Sequence, residues 1–427
     1  MEAGKTRYKI AIVAPTCFYY QAPLYRLLTA HPQLELKVYF CSDEALTGKD
    51  VTKKFNTNSQ WGVEDNVISG YDSEFLKNYS PNPSYLKWPV GLINFGIWGE
   101  IKRERPDLVV LMSWMNPTWW TAILACSLYK IPFLYLTDQN IQVEASKPKW
   151  LYWMKRILLG LGLFRITSGF LCAGTSNMEL YQFYGVPNSK LVPFAYSWGY
   201  QTLVDLAPKY KAIRAQTRSE LGISEDKCVF LYCGRLSQEK NPVQLLEAYH
   251  QVKSPRKSLV IIGDGNLRQQ MQEFAAANNV ESLQFLGFQD RNSIPKFYAM
   301  ADALVLPSQK ETWGMVVNEA MCFSLPVIVS DQVGAGKDLV NDDYNGFQFP
   351  DGDLHELTAS LNRFLGKSEQ ERVEMGARSL EMITNWNKRD LASTLVEFCD
   401  QLYSVGDNQG NSQNRNSRSR KKAVTRN

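Results

Sequence analysis

Residues 303–320 read ALVLPSQKETWGMVVNEA, and this stretch decides the fold class. The run ALVLPS is apolar without alternation, which is typical of a parallel strand covered on both faces. Glu311 and Glu319 follow on either side of Gly314. We expect a helix to begin near Gly314, because glycine permits a tight exit from a strand. The stretch therefore predicts a strand, a loop and a helix, with two acids placed to meet a ligand.

The same alternation of short apolar runs and helix-length segments continues along the whole chain. The first half contains the runs IAIVAP, LKVYF, LVVLM, FLYLT, GFLCAG and KLVPFA. The second half contains VFLYCG, SLVIIGDG, LQFLG, ALVLPS, PVIVSD and GFQFP. Six strands and then six more, with helices between them, predict an α/β protein of two Rossmann-like, doubly wound domains.

The chain is divided by these patterns into four predicted parts. We expect one domain at residues 1–200, a second at 201–385, a helix at 386–405 and a tail at 406–427. In the predicted helix, Leu391, Leu395, Phe398 and Leu402 recur at helical spacing and form one apolar stripe. Such a helix, placed after the last strand, is long enough to return to the N-terminal domain.

The composition is that of a soluble globular protein. The 427 residues are 44% hydrophobic and 21% charged. The eight cysteines are scattered singly and make no CxxC pair, so we expect buried thiols in a reducing compartment. We find neither a signal-peptide pattern nor an apolar run long enough to cross a bilayer, and we predict a cytoplasmic protein.

Two segments are basic. The tail carries six basic residues and one acid, and its polar, repetitive composition predicts disorder. It is interpreted either as a solvated terminus or as a contact for anionic lipid; we expect no nucleic-acid partner. Residues 147–165, KPKWLYWMKRILLGLGLFR, mix basic, aromatic and aliphatic residues. They fit either an anionic membrane surface or a helix packed on the core with extended lysines.

A first group of candidate ligand-binding residues lies in CGRLSQEKNP. Gly234 ends a predicted strand, and Arg235 and Lys240 stand on the loop after it. Asn241 is expected to cap the following helix and Pro242 to occupy its first turn. Two cations at the carboxyl edge of a parallel sheet suit a diphosphate, although two solvated loop cations would read the same way.

The segment VIIGDGNL is a second candidate. It lacks the spacing GxGxxG, so it does not predict a dinucleotide fingerprint. Gly263 and Gly265 are interpreted as tight turns at a strand end. Phe288, after the next strand, is placed either as the floor for a base or as a core residue.

The acids of ETWGMVVNEA complete the candidate set. The first amide groups of the helix that begins near Gly314 lack intrahelical partners and can hold phosphate oxygens. An ionised carboxylate accepts hydrogen bonds from two neighbouring hydroxyls. One of the two acids can therefore hold a sugar and the other a ribose, with a diphosphate on the amides between them.

Four motifs in this order resemble the donor domain of glycosyltransferase family 4, the group 1 glycosyltransferases: GRLSQEKN, IIGDGNLR, ETWGMVVNEA and SDQVGAGKDLVNDDYNGFQF. The first half is similar more loosely, through PTCFYYQAPLYRLL and LCAGTSNMELYQFYGVPNSKLVPFAY. The resemblance implies the GT-B fold, in which two Rossmann-like domains face each other across a cleft and a C-terminal helix crosses back to the N-terminal domain. It also implies retention of anomeric configuration, with neither a bound metal nor a cofactor.

The resemblance implies a role for each matching position. Arg235 and Lys240 would bind the diphosphate, Glu311 the transferred sugar and Glu319 the ribose. The loop formed by Trp313, Gly314, Met315 and Val316 would cradle phosphate. The donor site would be bordered by the remaining matches, Gly234, Gly263, Gly265 and Phe288.

The first half departs from the family pattern. Many members have a histidine after the strand that reads FLYLT here, whereas this chain has Asp138, with Asn140 near it. Asp138 is interpreted as a catalytic residue that orients a sugar, or as a turn residue at a strand end. Asn140, Tyr19 and Tyr20 are expected to bind the acceptor, although the two tyrosines could equally fill an interdomain face.

We therefore expect a retaining, metal-independent glycosyltransferase of the hexosyltransferase type. It would move a sugar from a nucleotide-diphosphate sugar to a glycan or lipid-linked acceptor, in polysaccharide or glycoconjugate biosynthesis, and could lie on the inner face of the membrane. The residues leave the nucleobase, sugar, acceptor and linkage open. The alternatives are a GT-B epimerase or phosphorylase and a non-catalytic nucleotide-sugar-binding protein. A dehydrogenase fits least, because the glycine fingerprint is missing.

Overall fold

The computed structural model describes residues 7–47, 67–145, 148–195 and 199–404. The predicted tail at 406–427 lies outside the described residues. Spatial contacts divide the described residues into two compact units. One unit holds those within Met1–Asp43, Asp65–Tyr135 and Asp390–Asn427, and the other holds those within Glu44–Glu64 and Leu136–Arg389.

The first sheet contains seven strands in the order β3-β2-β1-β4-β5-β6-β7. Strand β1 runs parallel to both of its neighbours. Ile10 of β1 lies beside Leu36 of β2 on one side and beside Leu108 of β4 on the other. The strand order changes direction between β1 and β4, as in a doubly wound sheet. The strands are β1 Tyr8–Ala14, β2 Leu34–Phe40, β3 Asp72–Phe75, β4 Leu108–Leu111, β5 Phe133–Thr137, β6 Gly169–Cys172 and β7 Leu191–Pro193.

The sequence predicts six strands in the first half, whereas the first sheet has seven. That count was wrong by one, and β3 is the strand that it missed. Its sequence, DSEF, carries no apolar run, and its residues are exposed or half-buried. Among the described strands, β3 lies at the sheet edge and pairs with β2. An edge strand needs no apolar residues on both faces, and charged residues are common there. The apolar pattern therefore could not reveal it.

The second sheet contains the six strands that the sequence predicts, in the order β10-β9-β8-β11-β12-β13. Every residue of β8, β11 and β12 is buried, which explains why these segments are apolar without alternation. The strands are β8 Cys228–Cys233, β9 Lys257–Ile262, β10 Leu283–Gly287, β11 Ala303–Leu306, β12 Val327–Ser330 and β13 Gly346–Phe349.

Helices connect the strands of both sheets. In the first unit they are Ala22–Ala30, Gly96–Glu104 and Pro117–Tyr129. In the second unit, the part before β8 contains Glu44–Thr47, Ile141–Ala145, Lys149–Lys155, the π-helical Arg156–Leu163, Phe164–Ile166, Thr175–Phe183, the 3-10 turn Asn188–Lys190, Gln201–Lys211 and Arg214–Glu220. The part after β8 contains the 3-10 turn Gln238–Lys240, Pro242–Gln251, Arg268–Ala277, Ile294–Met300, Met315–Cys322, Gly336–Leu339, Leu354–Gly366 and Glu369–Asn387.

The helix Pro242–Gln251 shows how local sequence sets an element. Pro242 occupies its first turn as predicted, and Leu245, Leu246 and Tyr249 are buried in the core of the second sheet. The expected side-chain cap is wrong. Asn241 has a left-handed φ of 49°, and its amide donates to the Gln244 side chain instead of accepting from the helix backbone.

Residues 391–404 form the last described helix and belong to the first unit. Leu391, Leu395 and Phe398 of the predicted stripe are buried. The Tyr8 hydroxyl donates to Asp400 over 2.6 Å, and the Tyr403 hydroxyl donates to the Asp107 carbonyl oxygen over 3.0 Å. The predicted return of this helix to the N-terminal sheet is confirmed by these contacts.

All eight cysteines are buried free thiols, as the sequence predicts. Across the described segments, no helix combines the length and the apolar character needed to span a membrane.

Candidate functional site

Lys240 and Glu311 form an ion pair at the carboxyl edge of the second sheet. Lys240 ends the 3-10 turn after β8, and Glu311 lies on the loop after the neighbouring strand β11. The Glu239 carbonyl oxygen accepts the backbone amides of Gln309 and Lys310, which ties the two loops together. The Lys240 and Glu311 side chains are 16% and 14% exposed, so the pair is largely shielded from water and each charge benefits from the opposite one.

Two glycines allow the loops after β8 and β9 to pack directly against each other. A Cβ atom on Gly263 would lie 1.8 Å from the Gly234 carbonyl oxygen, and one on Gly265 would lie 2.3 Å from the Leu236 carbonyl oxygen. Any larger residue would push the backbone that carries Arg235 away. These glycines therefore shape the candidate cation site through close packing between two loops.

The helix Met315–Cys322 begins where the sequence predicts. Gly314 precedes it with a left-handed φ of 96°, a conformation that favours glycine. The N-cap residue, Gly314, has no side chain to cap this helix, and Met315 and Val316 are half-buried in its first turn. The first turn of a helix presents unsatisfied amide groups, which makes it suitable for an anion held beside Lys240.

Glu319 lies one turn further along the same helix and is half-buried. The Tyr298 hydroxyl donates to its carboxylate over 2.7 Å. Burial raises the pKa of Glu319, whereas the Tyr298 hydroxyl and the charge of Arg291 act in the opposite direction. The carboxylate is therefore oriented by a tyrosine and takes up a proton more readily than an exposed glutamate would.

Asp138 and Asn140, which follow β5, contact the loop that carries Glu311. The Thr312 hydroxyl donates to Asp138 over 3.2 Å. Asp138 is exposed to solvent, but the protein around its carboxyl group raises the pKa; the Thr312 hydroxyl lowers this pKa, and the charge of Glu311 raises it further. The structure thus places Asp138 against the loop that carries Glu311.

The Asn140 side chain is buried, and the surrounding backbone uses its polar atoms. Its amide nitrogen donates to the carbonyl oxygens of Glu311 and Thr312, each over 2.9 Å, and its oxygen accepts from the Val143 amide. In this arrangement Asn140 holds the loop of Glu311, whereas the sequence placed it among acceptor-binding residues.

Trp313 is also buried. Its indole nitrogen donates to Asn318 over 2.9 Å, and its ring stacks on Trp386 with a centroid distance of 5.7 Å. A Cβ atom on Gly174 would lie 2.4 Å from the Trp313 ring. Trp313 therefore anchors the loop, and its backbone remains the part able to cradle a phosphate.

The sequence assigned no role to Asp338, although it lies within the quoted motif SDQVGAGKDLV. Its carboxylate accepts from the backbone amide of Thr175 over 2.9 Å and from the Thr175 hydroxyl over 2.6 Å. Lys337 beside it pairs with Glu179 of the same helix. Lys337 and Asp338 thus hold the helix Thr175–Phe183. In the sequence, only the adjacent charges in AGKDL could have indicated this contact.

The remaining candidates are more dispersed. Arg235 is half-buried on the loop after β8, where its carbonyl oxygen accepts from the Tyr232 hydroxyl over 2.7 Å. Phe288 follows β10 and is 41% exposed, so it is not a core residue. Tyr19 and Tyr20 belong to the first unit, where they contact each other edge to face. Within the described ranges, no three His, Cys, Asp or Glu side chains converge as a metal-binding group.

Comparison with known proteins identifies the segment that carries most of this site. The family described as glycosyl transferases group 1 matches residues 213–382. The matched segment is similar to this family and includes Arg235, Lys240, Glu311 and Glu319. The narrower resemblance to family 4 stays a prediction.

Two sequence relatives illustrate how far the similarity extends. An uncharacterized glycosyltransferase of Methanocaldococcus jannaschii is 32% identical over 131 residues, which are 30% of this chain and 33% of that protein. The UDP-Gal:alpha-D-GlcNAc-diphosphoundecaprenol alpha-1,3-galactosyltransferase of Escherichia coli is 27% identical over 302 residues, which are 68% of this chain and 73% of that enzyme. The chain thus spans about a third of the first relative's length and almost three quarters of the second's.

The fold extends further than the sequence similarity. The structure of Anabaena HepE in complex with UDP superposes with a TM-score of 0.68 at 17% identity, covering 93% of this chain and all of HepE. The predicted GT-B fold, with two Rossmann-like parallel sheets, is therefore confirmed.

Proposed function

We propose that this protein transfers a sugar from a nucleotide-diphosphate sugar to a glycan or lipid-linked acceptor, in polysaccharide or glycoconjugate biosynthesis. One observation carries the proposal. The Lys240–Glu311 pair lies beside the start of the helix Met315–Cys322, inside the segment that is similar to group 1 glycosyl transferases. A cation, uncapped helix amides and a carboxylate together suit a phosphate that bears a sugar.

Each group has a role in this reaction. Lys240 and Arg235 stabilise the charge that develops on the diphosphate as it leaves, and the first amides after Gly314 hold its oxygens. Glu311 accepts hydrogen bonds from hydroxyls of the transferred sugar, and Glu319 does so from the ribose. Asp138, close enough for the charge of Glu311 to raise its pKa, orients the sugar from the side of the first sheet's β5.

We further propose that the transfer retains anomeric configuration and needs neither a metal ion nor a cofactor. In a front-face substitution, an oxygen of the departing diphosphate takes the proton of the acceptor hydroxyl. The protein then supplies charge stabilisation and positioning, which Lys240, Arg235 and Glu311 provide. Family 4 membership belongs to this proposal.

UDP is the first nucleotide to consider, because it is the ligand in the HepE structure and part of the donor named for the Escherichia coli relative. That relative's name also contains a lipid-linked acceptor, which supports an enzyme that works in the cytoplasm at the inner surface of a membrane. The transferase names of both relatives favour a transferase over an epimerase or a non-catalytic binding protein.

A thermal-shift panel of UDP, GDP, ADP, CMP and NAD on the wild type and Lys240→Ala tests the proposal. A ligand at a hundred times its dissociation constant stabilises the folded state by about 2.7 kcal/mol. We expect one nucleoside diphosphate to raise the melting temperature of the wild type and to lose this effect in the variant. A shift with NAD alone, or an equal shift in both proteins, would contradict the donor site.

A further inference from the structure

The helical segment between Lys149 and Ile166 exposes an unusual amount of apolar side chain. Lys149–Lys155 continues directly into the π-helical Arg156–Leu163 and ends in Phe164–Ile166. Leu159, Leu163 and Phe164 are buried and fix the segment to its own unit. The opposite side, which we call the outer face, consists of exposed Trp150, Trp153, Met154, Ile157, Leu158, Leu161 and Ile166.

This arrangement reverses the usual amphipathic pattern, in which the apolar stripe faces the core. The sequence left two interpretations open, a membrane surface and a helix packed on the core. The second is wrong for most of the apolar side chains, because they are exposed. Trp150 is 69% exposed and Leu158 is 62% exposed. A contiguous exposed apolar surface in a folded protein is typical of a contact with a partner or a lipid layer.

Charges around the outer face indicate which contact it is. No acidic residue occurs between Pro148 and Thr167, whereas Lys149, Arg156 and Arg165 lie along the segment. The fourth basic residue, Lys155, turns inward to pair with buried Glu144 over 3.0 Å. The Arg156 guanidinium lies over the rings of Trp153 and Phe183, and so stays beside the outer face. Basic side chains with Trp and aliphatic residues match the headgroup and upper acyl region of an anionic bilayer.

We infer that the outer face of residues 149–166 inserts into the surface of a membrane that contains anionic lipid. The aliphatic side chains enter the upper acyl region, while Trp150, Trp153 and the basic residues remain among the headgroups. This inference rests on the exposed side chains and their charges. It does not depend on the proposed transferase chemistry, although it would bring that chemistry to a lipid-linked acceptor.

Co-sedimentation of the full chain with vesicles tests the inference. Vesicles of phosphatidylcholine alone are compared with vesicles that also contain phosphatidylglycerol. We expect the wild type to bind the anionic vesicles. Leu158→Glu should lower the partition coefficient by about tenfold or more, because it replaces an inserted aliphatic side chain with a charge. Arg165→Gln should lower it by about fivefold on anionic vesicles only.

Val373→Glu is a matched control, since Val373 is 61% exposed on the helix Glu369–Asn387 of the same unit. It should bind like the wild type. The chain truncated after Ser404, which lacks the basic tail, should keep the binding that depends on Leu158. The melting temperature and the nucleotide-induced shift of Leu158→Glu should equal those of the wild type. A loss of vesicle binding can then be distinguished from a loss of nucleotide binding at the donor site.

Four results would overturn the inference. The wild type could fail to bind anionic vesicles, or Val373→Glu could lose as much binding as Leu158→Glu. Truncation after Ser404 could abolish binding while Leu158→Glu leaves it intact. If Leu158→Glu instead converts a dimer into a monomer in light scattering, with vesicle binding unchanged, the outer face contacts a second copy of the chain and not a membrane.

Discussion

Lys240 and Glu311 lie 71 positions apart in the chain, yet the lysine ammonium donates a hydrogen bond to the glutamate carboxylate. The pair joins the loops after two adjacent strands, β8 and β11, at the edge where parallel sheets bind ligands. In the proposed reaction, donor binding would separate Lys240 from Glu311. The diphosphate of the donor competes for Lys240, and the hydroxyls of its sugar compete for Glu311. The ion pair thus keeps both charges compensated and in place before the donor binds.

Lys240→Ala should lower turnover by about 10² to 10³-fold, since it removes the charge that stabilises the departing diphosphate. Turnover is measured with the nucleotide sugar whose nucleoside diphosphate gives a thermal shift. Lys310→Ala is the matched control, because Lys310 is an exposed lysine on the same loop as Glu311. Equal losses in the two variants would mean that the loop needs positive charge in general, and the specific role of Lys240 would be wrong.

Glu319 gives a prediction about pH. Burial raises its pKa in the folded protein, so the folded state holds the proton more tightly than the unfolded state does. Stability should therefore fall as the pH rises from the ordinary glutamate value through the raised one. Nucleotide affinity should change in the opposite direction, because only the ionised carboxylate can accept from both ribose hydroxyls. Calorimetric titration with the nucleoside diphosphate across this pH window measures the effect.

Two variants separate Glu319 from the titration of the nucleotide itself. Glu319→Gln should remove its contribution to both pH profiles and weaken binding by about 1.5 to 3 kcal/mol at neutral pH. Tyr298→Phe removes a hydroxyl that lowers the pKa of Glu319, so it should move the pH dependence to higher pH. Identical profiles in the wild type and Glu319→Gln would show that another group is responsible.

The second sheet and its site were largely predictable because both are local in sequence. Each strand is a short run buried on both faces, and its ligand-facing loop follows at once, so that Gly314 and the helix start at Met315 could be read from one segment. β3 was missed because an edge strand leaves no apolar signal. The partners of Asp138 and Asn140 were also missed. They lie more than 170 positions away, and no spacing rule reaches that far.

Asn140 tests the importance of one such distant contact. Asn140→Ala removes the donor shared by the carbonyl oxygens of Glu311 and Thr312, in a buried site. We expect a loss of about 1 to 3 kcal/mol in unfolding free energy, measured with urea. Nucleotide affinity and turnover should also fall, because the loop of Glu311 loses a support. Asn278→Ala is the control, because the Asn278 side-chain amide donates to an exposed helix carbonyl oxygen, that of Phe274. It should leave the unfolding free energy, the nucleotide affinity and the turnover nearly unchanged. A stable variant with normal turnover and normal nucleotide affinity would contradict the role of Asn140 in holding the loop of Glu311.

Gly174 provides a steric test of the same region. A Cβ atom there would lie 2.4 Å from Cζ3 of Trp313 and 2.6 Å from Oδ2 of Asp338, whereas the glycine φ of −178° suits any residue. Gly174→Ala should therefore act through crowding alone, lowering the unfolding free energy by about 1 to 3 kcal/mol. It should also weaken nucleotide binding, because Trp313 anchors the loop between Glu311 and Gly314.

Gly99→Ala is the control, since a Cβ atom there meets nothing within 4 Å in the helix Gly96–Glu104. That change should stabilise the protein by about 0.4 to 1 kcal/mol and leave binding unchanged. If Gly174→Ala behaves in the same way, the close packing of Gly174 on Trp313 does not hold in solution.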